Sequence, residues 1–526
     1  MAYEGQLRRI DDNRWEIPQD ESKGMRTNAV IFASEAMLSQ IRADNAPMQA
    51  ANVACIPGIV GSSMAMPDIH WGYGFPIGGV AAVDADSGCI SPGGIGFDIN
   101  CGVRLIKTDL TLDDIGGLKQ ALVDELYKNV PSGLGSKGLT QVGYKELDDI
   151  LANGSEWAVE NGYGWERDLE VTEERGHMMD ADISAVSDKA RKRGLPQLGS
   201  LGSGNHFLEL DLVENVFDEA TAKAYGLKEG TITITVHCGS RGCGHQIATD
   251  YLQEMERYIR TNSISLPDRQ LACAPLDSDL GDRYYRAMCC GANYAWANRQ
   301  MITHWCRESF EKVLGDSAES MGMDVVYDVA HNIAKKERHD IDRHHEDVLV
   351  HRKGATRAFA PGRSEITMKY RDVGQPVIIP GDMSVGTYVL AGRRGSMEQT
   401  FGSSCHGAGR QMSRKAAIGS LSADQVKREM AEKDIYLRNG SEEGVCEEAP
   451  QAYKDVDEVI RVVCDAGLTA KVAKLTPIGV IKGRGPSWRP WRRPRACPWA
   501  TPPSRTSRRC PWTAAISLLG RSWSAA

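Results

Sequence analysis

Short runs in which apolar and polar residues alternate are interleaved along this chain with stretches whose apolar positions recur every three to four residues. The clearest alternating run is GTITITV, where Ile232, Ile234 and Val236 alternate with threonines and predict a strand leading directly into His237. Asp109 and Thr111 precede a helical pattern that sets Ile115, Leu118, Leu122 and Leu126 on roughly one face. Ser422 and Gln425, three positions apart, predict a capping box that opens the helix ADQVKREMAEKDI. Helix and strand signals alternate up to residue 483 without a regular strand–helix–strand rhythm. No repeat, Gly/Ser linker or low-complexity block divides that length. The expectation is a mixed α/β (α+β) chain.

Its 526 residues leave room for several average domains or one large one. With 41% hydrophobic and 25% charged residues it has the composition of a globular protein with a sizeable core. No apolar run reaches membrane-spanning length, and MAYEGQLRRIDDNRWEIP lacks the apolar stretch of a signal peptide. A cytoplasmic protein is expected, its 14 cysteines reduced and most of them small buried hydrophobes. The net charge of −8 argues against nucleic-acid binding over the whole surface, yet leaves room for a basic groove. Residues 484–526 differ from all that precedes, with nine Arg, five Trp, seven Pro and no Asp, Glu or Lys. Two readings compete for them: a basic aromatic arm that grips RNA, or an out-of-frame product of a GC-rich gene, which is the preferred reading. Either way they are expected to pack poorly, if at all.

The chemistry is concentrated in Gly-rich segments. Of the 12 histidines, several lie in MPDIHWGYG (66–74), LGSGNHFLEL (201–210), TVHCGSRGCGH (235–245), DVAHNIAKKE (328–337) and SSCHGAGR (403–410). SPGGIGFDINCGVR (91–104) adds Asp98 and Cys101. Carboxylate, thiolate and imidazole form a suitable shell for zinc, manganese or iron, with His206, His237 and His331 as the imidazole candidates. Each alone is more often a structural residue; together they are a plausible set. Gly-rich turns also expose N–H groups that bind anions. HGAGR (406–410), immediately before the helical run QMSRKAAI, would aim a helix N-terminus and Arg410 at a phosphate. Arg241 in GSRG and the basic residues of HRKGATR (351–357) extend that list, against the alternative of a solvated basic face. No GxxxxGK[ST] phosphate loop is present. These residues alone reach a metal-dependent enzyme acting on phosphates, without separating hydrolysis from nucleotidyl transfer.

In their order, GFDINCGVR, LGSGNHFLEL, HCGSRGCGHQ, AHN, HRKGATRAF, IPGDM and CHGAGR closely resemble the RNA-splicing ligase family RtcB, from about residue 5 to Gly483. The resemblance implies one large ligase domain over 1–483, with packed mixed β-sheets flanked by helices. It implies a ligase that uses GTP and two manganese ions to join an RNA 3′-phosphate or 2′,3′-cyclic phosphate to a 5′-hydroxyl, in tRNA splicing or RNA repair. His406 would be the nucleophile, carried as a guanylyl-histidine. Cys101 would bridge the two ions, with Asp98 and His206 on one and His237 and His331 on the other. Asn205, His206, Phe207, Leu208 and Glu209 would lie along the nucleotide. His331, Asn332, Pro380, Gly381, Asp382, Met383, Thr387 and the Gly407, Ala408, Gly409 backbone would line the remainder. Lys482 would close over it and Tyr453 stack near the guanine, while Arg241 and Arg410 would hold RNA phosphates or pyrophosphate. Broken or spliced RNA ends, tRNA halves among them, are the implied partner, with an archease-type activating protein as a second and a monomer as the expected state. Asp382 stands where the family usually carries a small hydroxyl residue, and Cys238 where it usually carries Ser. A manganese-dependent phosphodiesterase on the same scaffold is the main rival, and a non-enzymatic RNA-binding module the other.

Overall fold

The computed structural model describes residues 2–341 and 344–484; the expectations for the Arg/Trp/Pro-rich stretch beyond Arg484 lie outside the described residues. Two sheets dominate. The first runs in the order Arg8–Arg9, Arg14–Ile17, Ala29–Phe32, Ile59–His70, Ile77–Asp84, His344–Lys353, Asn332–Ile341. The second runs Val325–Ala330, Gly102–Thr111, Thr231–Cys238, Phe207–Val216, Thr469–Lys482, Thr387–Gly392, Pro376–Pro380, with Tyr436–Asn439 laid parallel on Thr469–Lys482. Both are mostly antiparallel, although many neighbouring strands in the second are far apart in the chain.

Alternation along the strand Pro376–Pro380 shows how the layers meet. Val377 and Ile379 join a core with Ile31, Met64 and Val350 of the first sheet, whereas Ile378 joins the core on the opposite face with Ile234 and Phe310. A third core surrounds the 36-residue helix Asp279–Leu314 and the helix Arg241–Thr261 packed against it. The expected α/β architecture of packed sheets flanked by helices is what the chain adopts, and no helix among the described residues is long and apolar enough to cross a membrane.

The strand predicted from GTITITV spans Thr231–Cys238, and every residue of it is buried. Its threonines are buried as well as its isoleucines because the strand is central and both faces are covered. Two helix expectations need correction. Thr111 does cap its helix through a capping box with Asp114, but the helix breaks at Gly116 (φ 49°) and resumes at Lys119. Ile115, Leu122 and Leu126 are buried, while Leu118 in the intervening 3-10 turn is exposed. At Ser422 the side chain makes no cap bond, and Gln425 donates to Glu429 instead.

Candidate active site

Strand register builds the site. In the second sheet Ala330 pairs with Gly102, Gly102 with Cys238, Val103 with His237, and His237 with Phe207. His331, Cys101, His237 and His206 therefore sit at the same end of four neighbouring strands. The Nε2 atoms of His206 and His237 approach the Cys101 sulfur to 3.3 and 3.2 Å, and those of His237 and His331 lie 3.2 Å apart. Asp98 Oδ2 is 2.8 Å from His206 Nε2. Two groups result that could each hold a metal ion, Cys101–His237–His331 and Asp98–Cys101–His206, with the cysteine common to both. Among them only Asp98 is partly exposed.

Burial and close neighbours set the protonation of these groups. Burial pushes the Cys101 thiol up to about 12, reinforced by Asp98. Burial likewise holds His237 and His331 well below the usual imidazole range, so both are neutral and offer lone pairs. Burial would also raise Asp98, yet its contact with His206 outweighs this and holds it at about 2. The Nδ1 atoms of His237 and His331 are buried without a protein partner, so their rings are fixed by packing and register. Gly239 is needed beside this centre, because a Cβ there would stand 2.4 Å from the Asp98 carboxylate. That same carboxylate accepts from Ser240 N at 3.0 Å.

His406 forms the next wall. Its ring centroid lies 4.9 Å from that of His331. Asp68 Oδ2 accepts from His406 Nδ1 at 2.6 Å and from its backbone N at 3.0 Å, which leaves Nε2 as the ring's free lone pair. Gly409 makes that approach possible: it has φ 76°, and a Cβ there would lie 2.3 Å from the Asp68 carbonyl oxygen. Asp68 was missed in the sequence; its signal was a place in MPDIHWGYG, where attention falls on His70. His70 instead turns its Nδ1 to the Asp68 carbonyl at 2.9 Å, and His245 stacks on Phe97.

Some of the residues expected around a nucleotide are joined to the HGAGR turn or to the Cys101-centred cluster. Ala408 N donates to the Pro380 carbonyl at 3.0 Å, joining the HGAGR turn to the turn Gly381–Asp382–Met383. Asn332 donates to the Asp98 carbonyl at 3.2 Å and accepts from Gly354 N at 2.9 Å. Lys482 pairs with Phe207 across neighbouring strands, and its ammonium sits over that ring. The Thr387 hydroxyl is buried without a partner. Glu209 is buried, and burial with Asp211 alongside pushes its carboxyl well up. Asn205 is half-buried at the mouth of the strand Phe207–Val216. The Leu208 side chain packs into the core, and its backbone is paired between Val236 and Ile481 of the two neighbouring strands. Asp382 folds back on its own turn, accepting from Ser384 N and Oγ at 2.8 Å each.

The basic residues differ most from expectation. The helix after HGAGR starts only at Arg414, behind the cap residue Ser413, so it does not begin beside His406. Arg410 bonds Glu448 at 3.1 Å and the Glu447 carbonyl at 2.8 Å, and lies over the Tyr453 ring. Tyr453 in turn donates its hydroxyl to Glu448, and Lys482 Nζ is 3.4 Å from the same carboxylate. Glu448, another residue missed in the sequence, thus gathers three of the expected contacts. Arg241 bonds the Gly133 carbonyl at 3.0 Å and Ser136 Oγ at 3.1 Å. In HRKGATR neither a solvated face nor free cations remain: Arg352 is held by Glu337, Arg357 by Glu174, and Lys353 by the carbonyls of Tyr73 and Phe75.

A soft, nitrogen- and sulfur-rich ligand set beside a carboxylate-oriented histidine defines the centre of a metal-dependent enzyme. The family model described as tRNA-splicing ligase RtcB matches residues 49–483. A tRNA-splicing ligase RtcB of Thermococcus kodakarensis is 57% identical over 477 residues, 91% of this chain and 99% of the relative. One from Archaeoglobus fulgidus is 53% identical over 483 residues, 92% and 100% of the two chains. A third, from Nanoarchaeum equitans, is 48% identical over 478 residues, 91% and 99%. The chain belongs to the RtcB family of tRNA-splicing ligases.

Proposed function

We propose that this chain joins an RNA 3′-phosphate or 2′,3′-cyclic phosphate end to a 5′-hydroxyl end, using GTP and two manganese ions, with His406 as the guanylyl carrier. The observation that carries the reading is the pairing of His406 Nδ1 with Asp68, one ring away from the Cys101-centred cluster. Asp98, Cys101, His206, His237 and His331 would hold the ions. Three imidazoles, a thiol and a carboxylate suit a borderline divalent cation, and the family resemblance favours manganese. Bound there, such ions neutralise phosphate charge and polarise phosphorus toward attack.

Asp68 keeps the His406 proton on Nδ1, so Nε2 attacks the α-phosphorus of GTP; the N–P bond forms as the bond to pyrophosphate breaks. An oxygen of the RNA 3′-phosphate then takes the guanylyl group, and the electron pair of the N–P bond returns to Nε2. The 5′-hydroxyl attacks the activated 3′-phosphate, loses its proton and expels GMP. A cyclic phosphate is first opened by water to the 3′-phosphate. Lys482, Tyr453, Glu209 and the turn at Pro380 would hold the nucleotide, and Arg241 the RNA. Residues 1–483 would carry the activity, in keeping with a family match that ends at residue 483.

The test is joining itself. Chelated protein resupplied with manganese and GTP should seal a 3′-phosphate to a 5′-hydroxyl, and a chain ending at Gly483 should do so equally well. Opening of cyclic phosphates without any joining would replace this reading with the phosphodiesterase. RNA binding that is lost with residues 484–526, in the absence of catalysis, would favour the binding module.

A further inference from the structure

Beneath the Cys101-centred cluster lies a buried guanidinium that no step above uses. Arg299, on the helix Asp279–Leu314, is fully buried and spends all five of its N–H donors. Nε and Nη2 grip the two oxygens of Asp328 at 2.8 Å each. Nη1 donates to the carbonyls of Asn100 and Cys238 at 2.8 Å each, and Nη2 also reaches Asn100 Oδ1 at 3.0 Å. Asn100 immediately precedes Cys101, and Cys238 immediately follows His237. Asn100 has φ 51°, a conformation that its own contacts must hold: its N donates to the Asn332 carbonyl at 2.7 Å, and its side chain to Ala292 at 2.8 Å. Asp328 lies three residues before His331 on the adjacent strand. One planar fork therefore ties together the segments bearing Cys101, His237 and His331.

We infer that Arg299 is the positioning residue that sets the spacing of the two metal-binding groups, by fixing the backbone just before their shared cysteine and just after His237. This rests on the reading of the cluster as a two-ion centre. A lysine cannot replace Arg299, because three rotatable donors on a point charge cannot serve five fixed acceptor directions. Arg104 supplies an internal comparison. It is equally buried and bonds the same Asp328 at 2.7 Å, but its remaining donors go to Gln300, Thr303 and Thr172, none beside a ligand.

The experiment titrates full-length chelated protein with cobalt(II), following the thiolate-to-cobalt absorption and the stoichiometry, alongside denaturant unfolding. Arg299→Lys should weaken cobalt binding about 10–100-fold, the range for residues that orient metal ligands, and alter the absorption band. Arg104→Lys should lower stability while leaving stoichiometry and band as in the wild type. Asn100→Gly, which keeps the backbone conformation accessible and removes one anchor, should fall between wild type and Arg299→Lys; it also serves if Arg299→Lys does not fold. Two ions bound with unchanged affinity and band in the Arg299 and Asn100 variants would overturn the inference alone. A wild-type protein that binds no cobalt through Cys101 would overturn the two-ion reading and this inference with it.

Discussion

At the scale of single residues, the role proposed for His406 depends on which nitrogen carries its proton. The Asp68 carboxylate, itself fully buried, accepts from Nδ1 and fixes that choice. An asparagine there could present its amide N–H to Nδ1, drive the proton to Nε2 and cancel the nucleophile. Asp68→Asn should lower guanylylation about 10²- to 10⁴-fold while nucleotide binding is retained, as judged by labelling rate against affinity. Loss of binding with an unchanged rate per bound nucleotide would assign Asp68 another role. His406 was marked as a candidate nucleophile in the sequence only through the ordered family motifs. Asp68 was not, because the two meet across 338 residues of chain. The basic residues of HRKGATR misled for a related reason: charge is visible in a sequence, but their carboxylate partners are set by folding, Glu337 across a hairpin and Glu174 from 183 residues away.

Among the elements, local rules held where tertiary contacts agreed with them. The strand before His237 followed directly from its alternation. The helix after Thr111 began as its capping residue indicated and then broke, because Gly116 takes a positive φ of 49° that a continuing helix excludes. The two cap sites give opposite expectations. Thr111→Ala removes a reciprocal capping box and should cost about 1 kcal/mol in denaturant unfolding. Ser422→Ala removes a side chain with no cap bond and should cost no more than about 0.5 kcal/mol. Equal losses at both would contradict the assigned geometry. Spacing marks both sites equally; only the observed bonds separate them.

For the whole molecule, the decisive feature is that four adjacent strands of one sheet end together. Composition and spacing named the ligand types but could not place His206, His237, His331 and Cys101 on neighbouring strands, since strand order does not follow chain order. The proposed nucleotide side has its own organiser in Glu448, which Arg410, Tyr453 and Lys482 all contact. Burial would raise its carboxyl, but Lys482, Arg410 and Arg414 outweigh this and hold it at about 2, below its ordinary 4.5. A depressed carboxylate stabilises the fold above its unfolded value, and that stability is lost as pH falls from about 4.5 through about 2. Across that window Glu448→Gln should lose less stability than the wild type; equal slopes in acid unfolding would contradict the assignment. The central claim remains the covalent bond at His406. Incubation with manganese and α-phosphate-labelled GTP, followed by denaturation, should leave an acid-labile label on the wild type and none on His406→Ala. An unlabelled wild type, or a His406→Ala variant labelled to the same extent, would contradict the account.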